Sequence, residues 1–432
     1  MFSTLVNTWR VKEMRNKILF TLMIILIFRV GSVIPVPFLD MTRYGELLSS
    51  SGASGEFFSY LSILTGGAME YGALFAMSVT PYINASIIMQ LLTVAIPPLE
   101  RIAKEGEVGQ KKIAKYTRFA TVILGLLQGI AYWYWLHASG CVNATGAFEV
   151  VFTAIVIVLC FTAGSAIMMW LGEKIDERGI GNGISMLLFA GIISRLPTGI
   201  ATVWAYLTQG DAAGVITALS IVLVMFVVVV FIVWMQASER RVPIQYAKRV
   251  VGRKQYGGQN THMPIKVNMS GVMPIIFASS ILTIPATILQ FMSSSDPDGF
   301  WFKTLSLLRY DSWVYALIYF VMIIAFGFFY MSIQYNPLEM ANNLRKNGGQ
   351  IPGIRSGKAT QDYLSKILRR ITLIGCIFLG AIAILPIVVG NVSGVSLSLG
   401  GTSMLIVVGV AVDTVSQLES QLMMRHYKGF LD

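Results

Sequence analysis

The sequence predicts an all-α polytopic membrane protein with ten spans, and three observations carry that reading. Of 432 residues, 55% are hydrophobic and only 13% charged, where a soluble chain carries about 25% charged residues; mean hydropathy is +0.67. Apolar runs long enough to cross a bilayer, roughly 20 residues each, recur ten times, at about 17–36, 73–96, 117–137, 150–171, 183–207, 214–236, 271–292, 312–334, 367–389 and 399–418. Lys and Arg fall on alternate connections between these runs, the asymmetry that marks cytoplasmic loops.

The first run follows four basic residues, Arg10, Lys12, Arg15 and Lys17, and lacks a small-residue cleavage site. It reads as a span and not as a cleavable signal peptide. The stretch from Glu56 to Pro98 comes next and organises the rest. It is about twice one bilayer crossing, yet Gly66-Gly67, Glu70 and Gly72 break it and Pro81 and Asn84 sit in its second half. Broken backbone and a carboxylate survive at membrane depth only where protein or a water-filled cavity covers them. The expectation is a short half-inserted segment, about Phe57–Ala68, followed by a spanning helix, about Ala73–Ile96. Such a segment signals a pore, a plug or a substrate site.

The connections after spans two, four, six and eight hold six, two, seven and seven Lys and Arg, and the C-terminal tail holds two. The opposite side holds only Arg43, Arg195, Lys303 and Arg309, and Arg29 lies inside the first span. Both termini are therefore expected in the cytoplasm. Ten spans divide into two fives that start from opposite sides, so the halves, 1–207 and 208–432, would be inverted. Such halves place a functional site between them near the midplane. Their boundary falls in Pro197–Ala213, a connection with Pro, Gly and Asp that reads as a hinge or as a plain loop.

Two basic connections are too long to be turns. Residues 238–270 carry Arg240, Arg241, Lys248, Arg249 and Arg253, and the alternation in RRVPIQYAKRVV predicts strands of a projecting hairpin. Residues 334–370 carry Asn336-Pro337, Gly348-Gly349 and Pro352-Gly353-Ile354-Arg355, turn residues that predict a shaped protrusion. Positive-inside bias alone would account for the charge. Length and internal structure point to docking surfaces for an anionic partner, RNA or an acidic protein face.

Other chemistries lack support. Cys141, Cys160 and Cys376 and the three histidines, His137, His262 and His426, show no metal spacing. Neither His-x-x-x-His nor Gly-x-Ser-x-Gly occurs, which disfavours a membrane-embedded enzyme. An ion-coupled secondary transporter would carry ionisable residues within its spans, whereas only Arg29 lies well inside one, with Glu70 and Asp413 near breaks or ends.

Seven motifs then resemble one family: TPYINASIIMQLL from Thr80, GIGNGIS from Gly179, YAKR from Tyr246, PIKVN from Pro264, FASS from Phe277, PGIR from Pro352 and GGTS from Gly400. In order and over nearly the whole chain, they are similar to the SecY family, the large subunit of the bacterial protein-translocation channel. GIGNGIS is not read as a nucleotide loop, because no strand precedes it and an apolar span follows. The resemblance implies a central pore closed by a short plug helix, about 57–70, here Phe57, Phe58, Leu61, Leu64, Gly66 and Gly67. It implies a pore ring of Ile83, Ile87, Ile184, Leu188, Ile276 and Ile406, an apolar collar that excludes water and ions by dewetting. It further implies a lateral gate between the second and seventh spans, with Gln90 facing Ser279, Ser280 or Thr283, and partner docking through Arg355 and the basic hairpin tip. The implied function is passage of unfolded secretory chains across the membrane and sideways release of hydrophobic segments into lipid, with no cofactor. The implied partners are SecE- and SecG-type small membrane subunits, the SecA motor ATPase, the ribosome and signal sequences, at the bacterial inner membrane.

Overall fold

A computed structural model describes residues 9, 11–49, 62, 65–142, 146–208, 212–246, 249–251, 254–256, 260–292, 312–393 and 401–428. By packing, the chain divides into two compact units: Met1–Ile221 with Ser280–Tyr310 and Ile406–Asp432, and Val222–Ser279 with Asp311–Leu405. Among the described residues, seven helical segments are long and apolar enough to cross a membrane, or eight when one bent pair counts as a span. The chain is a multi-pass α-helical membrane protein.

In the first unit α1 (Lys12–Gly31) is followed by α2 (Met41–Ser49), then by irregular turns over 65–79. The turns correct the expectation of one helix from Ala73 to Ile96. Here α3 begins only at Thr80, with Pro81 in its first turn, and ends at Ala95. Its upstream backbone is engaged elsewhere. Leu74 N–H donates to Ile34 O and Val36 N–H to Gly72 O, each at 2.9 Å, and Pro35 bridges Ala73. The first span accordingly ends at Gly31 and not near Val36, leaving Ile34–Val36 free to pair with 72–74. Phe75 fills the space beside Gly31 and stacks on Phe28 at 6.3 Å between centroids. After α3 the chain bends by 106° at Ile96 into α4 (Pro97–Ala103), because a proline at the next helix's first turn cannot continue the hydrogen-bond ladder.

α5 (Glu107–Ala138) and α6 (Ala147–Arg178) have 32 residues each, about 48 Å, well beyond the apolar runs that predicted them. Their charged ends are tied by Arg118 Nε to Glu173 Oε1 at 2.7 Å. The fifth span divides at Ser194-Arg195 into α7 (Gly183–Ile193) and α8 (Leu196–Thr208). Two further helices run into and out of this unit, α9 (Ala212–Ala237) and α14 (Gly401–Lys428). A core of Val36, Tyr44, Met69, Ala76, Leu136, Cys141, Ile157 and Phe161 lies between the turns and α5 and α6. There the buried Tyr44 hydroxyl bonds Met69 O at 2.5 Å and the Tyr132 hydroxyl at 2.6 Å. Burial raises the Tyr44 phenol above its ordinary range, so it stays protonated and can keep donating.

In the second unit, the predicted hairpin is present. β1 (Glu239–Tyr246) pairs antiparallel with β4 (Asn260–Lys266), from Glu239 opposite Lys266 to Gln245 opposite Asn260. Between them, β2 (Arg249–Val251) pairs with β3 (Lys254–Tyr256). The sequence did not reveal a third strand. β5 (Gly349–Gln350), in the other long connection, pairs with Gln245 and Tyr246 on β1, so both connections share one sheet of order β4-β1-β5. Val242 and Ile244 alternate inward. Val242 with Ile265 covers Met331 of α11 (Trp313–Gln334), Ala341 of α12 (Pro337–Lys346) and Leu364, Leu368 and Ile371 of α13 (Lys358–Ser393). Apolar alternation at period two forces Arg241 to the opposite, solvent face. α10 (Met273–Met292) begins in this unit and from Ser280 on belongs to the first.

Candidate functional site

The break in the Glu56–Pro98 stretch is the centre of a polar cluster. Gly66 and Gly67 take φ of +66° and +89°, left-handed values that a residue with a Cβ rarely adopts. Gly66 also lies against a backbone: a Cβ there would come within 2.6 Å of Gly191 Cα on α7. Two donors reach the Gly66 carbonyl, Arg29 Nη1 at 3.0 Å from α1 and Ser194 Oγ at 3.1 Å from the break in the fifth span. Beside it, Arg195 pairs with Glu70 at 2.5 Å and also donates to Ser62 Oγ. Ser62 Oγ donates in turn to Glu70 Oε1 at 3.1 Å. Thus Arg29, expected well inside the first span, lies in the last turn of α1 and is engaged by a backbone carbonyl, and Arg195, which sequence position assigned to an outer loop, lies at the same turn. The sequence held a partial signal: a carboxylate and a guanidinium inside apolar stretches both require partners.

The GIGNGIS motif is a crossing joint between helices. Ile180 N–H donates to Thr21 Oγ1 of α1 at 3.2 Å, and Gly183 N–H donates to Asp176 Oδ1 at 2.7 Å. Asn182 caps α7 by accepting from Ser185 N–H at 3.1 Å. The absence of a side chain at Gly183 lets α7 start against the Gly172 carbonyl of α6. Thr414 of α14 bonds Met186 Sδ at 3.7 Å, so α1, α6, α7 and α14 meet here.

The expected ring residues are distributed as follows. Ile83 and Ile87 lie one turn apart on α3, Ile184 and Leu188 one turn apart on α7, and Ile406 near the start of α14. All five belong to the first unit; Ile276, on α10, belongs to the second. Ile87, Leu188 and Ile406 are buried, and Ile83, Ile184 and Ile276 half-buried. Ile184 reaches across to Gly172, where its Cδ1 occupies the room a methyl would need.

Of the expected gate residues, Gln90 is half-buried on α3, and among the described residues its buried Oε1 has no hydrogen-bond partner. Ser279 Oγ donates to Ile276 O of its own helix at 3.0 Å, and Ser280 is half-buried. The Thr283 side chain lies outside the described residues, as do Phe57, Phe58, Leu61 and Leu64 of the expected plug.

Among the docking arginines, Arg240, Arg241 and Arg355 are exposed. Arg241 Nε pairs with Glu239 Oε1 at 2.7 Å. The Arg355 carbonyl accepts from Thr360 Oγ1 at 2.9 Å, while among the described residues nothing engages its guanidinium. Lys248, Arg253 and the Arg249 side chain lie outside the described residues.

These features define a class first: a multi-pass helical membrane protein with an interrupted second span held by polar groups of its neighbours and two long basic connections joined in one sheet. The comparisons then give the family. Residues 73–415 match the model of the SecY family. The chain is 43% identical over 440 residues to the protein translocase subunit SecY of Streptomyces coelicolor, covering 100% of both chains. It is 42% identical over 447 residues to that of Mycobacterium tuberculosis, again covering 100% of both. The chain belongs to the SecY family. Its fold matches a structure described as a protein conducting channel, with a TM-score of 0.64 and 18% identity over 94% of this chain and 92% of that one. It also matches Sec61 in a canine ribosome-channel complex, with a TM-score of 0.61 and 17% identity over the same shares.

Proposed function

We propose that this chain is the pore-forming subunit of a protein-translocation channel, passing unfolded secretory chains across the membrane and hydrophobic segments sideways into lipid. The observation that carries the reading is membership of the SecY family along the whole chain. Its ten spans form two inverted halves, 1–207 and 208–432, around a central pore. Ile83, Ile87, Ile184, Leu188, Ile276 and Ile406 form the collar. Branched apolar side chains there dewet the idle pore and offer a threading peptide no fixed polar partner. Residues 57–70, with Gly66 and Gly67, plug it. Gln90 with Ser279, Ser280 or Thr283 lines a lateral gate, where interhelical hydrogen bonds of about 0.6 kcal/mol allow reversible opening.

The chain performs no chemistry of its own. Its energy comes from a SecA-type motor ATPase or the translating ribosome. These dock on the protrusion through Arg240, Arg241, Lys248, Arg249, Arg253 and Arg355, and SecE- and SecG-type subunits complete the complex. The site is the bacterial inner membrane with both termini in the cytoplasm, in keeping with the distribution of Lys and Arg. An exposed guanidinium such as that of Arg355 suits bidentate contact with phosphate or carboxylate. A transporter reading gains nothing from Arg29 and Glu70, which are taken up in bonds that hold one turn in place.

The test is photocrosslinking of a stalled secretory chain from probes at Ile83 and Ile276. Adducts are expected at both, and not from a probe at the exposed Leu223. Equal adducts at all three, or none at Ile83 and Ile276, would overturn the assignment.

A further inference from the structure

Two of the bonds just described join chain segments about 130 residues apart in sequence, and they meet at Ser62 and the turn over 65–70. The turn is held by directional polar contacts. The Gly66 carbonyl takes two donors, one each from Arg29 and Ser194. Arg195 spans Ser62 and Glu70. Glu70 takes both the Arg195 guanidinium and the Ser62 hydroxyl, so the hold of Arg195 on this turn depends on that carboxylate. The Arg195 side chain is 18% exposed and that of Glu70 45%. Water therefore reaches the carboxylate, which suits a bond made to break, whereas a fully dry pair would be far harder to separate. The Gly66 backbone also packs directly on that of Gly191 of α7, close enough to exclude a Cβ.

We propose that Arg29, Glu70, Ser194 and Arg195 form a latch that fastens Ser62 and the turn over 65–70 to the break in the fifth span, and that opening the Arg195–Glu70 pair sets how strong a signal sequence must be to unseal the channel. The latch rests on the plug reading above. It adds positioning residues that the collar and the gate do not include. A signal that binds strongly supplies enough differential affinity to part the pair, and a weak one does not.

The experiment uses the full channel complex in planar bilayers and reads idle ion conductance, together with export of a preprotein whose signal sequence is defective. Glu70→Gln and Arg195→Gln should each raise idle conductance on the order of tenfold, the population change that follows loss of one charge-assisted bond. Both should also let the defective signal through. Arg195→Lys, which keeps the charge and loses the fork, should have a smaller effect. The exchanged pair, Glu70→Arg with Arg195→Glu, should return conductance to within about threefold of the parent if the pair's own attraction is what holds. Thermal stability of each variant in detergent separates loss of the latch from loss of the fold. Unchanged conductance in Glu70→Gln and Arg195→Gln, or an exchanged pair no tighter than the worse single variant, would overturn the latch. Deleting residues 57–61 tests the plug reading separately. If the deletion opens the idle channel and the latch variants do not, only the latch fails; if neither does, the plug reading fails with it.

Discussion

Replacing Gly183 by alanine should loosen the joint on which Ile184 and Leu188 are carried. A Cβ at Gly183 would overlap the carbonyl oxygen of Gly172 and sit 2.7 Å from its carbonyl carbon and 3.0 Å from its Cα. All three are backbone atoms within a 32-residue helix, about two turns from its end, so no rotamer change can relieve the clash and the helices must move apart. Overpacking of this kind costs about 1–3 kcal/mol; with backbone as the obstacle the upper end applies, near 3 kcal/mol. The reciprocal change is milder. A Cβ at Gly172 would meet Ile184 Cδ1 at 2.6 Å, the far end of a side chain that can turn, so about 1 kcal/mol is expected. Gly45→Ala is the control, since nothing lies within 4 Å of the new methyl and alanine favours a helix over glycine by about 0.5–1 kcal/mol. Thermal unfolding in detergent should rank the variants Gly45→Ala, Gly172→Ala, Gly183→Ala in falling stability. Idle conductance should rise with Gly183→Ala, because Ile184 and Leu188 move with α7. A Gly183→Ala protein as stable as Gly172→Ala, or a reversed order, would refute the packing argument.

Two further outcomes are expected. Ile406→Asn puts an amide where the side chain is buried, leaving a polar group unpaired at about 1–3 kcal/mol; it should wet the collar, raise ion leak and let poor signal sequences pass, and unchanged leak and stringency would remove Ile406 from the ring. Arg355→Glu should leave thermal stability within about 0.5 kcal/mol, as for an exposed residue away from structural features, while motor-driven export and motor binding fall. Normal binding and export in that variant would end its docking role.

The depth of a span and the side on which a loop lies are local properties. A bilayer needs about 20 apolar residues wherever they occur, and basic residues near span ends orient them. For that reason the apolar runs, the basic bias and the strands of RRVPIQYAKRVV could be read in order along the chain, and the motif string could be matched to a family. The position at which a helix starts is less local. Ala73–Val79 has a helical composition, yet Leu74 N–H is given to Ile34 O and the residues after it close short turns, so the helix begins only at Thr80.

The joining of the two basic connections through β5 also could not be read. Two residues, Gly349 and Gln350, make too short a strand to leave a period in the sequence, and their partner lies about a hundred positions upstream. The same holds for Arg29, Glu70, Ser194 and Arg195. Sequence alone established that charges inside apolar stretches need partners. Only the tertiary structure decided which ones, because hydrogen bonds act over about 3 Å in space and the folded chain brings together residues far apart along it.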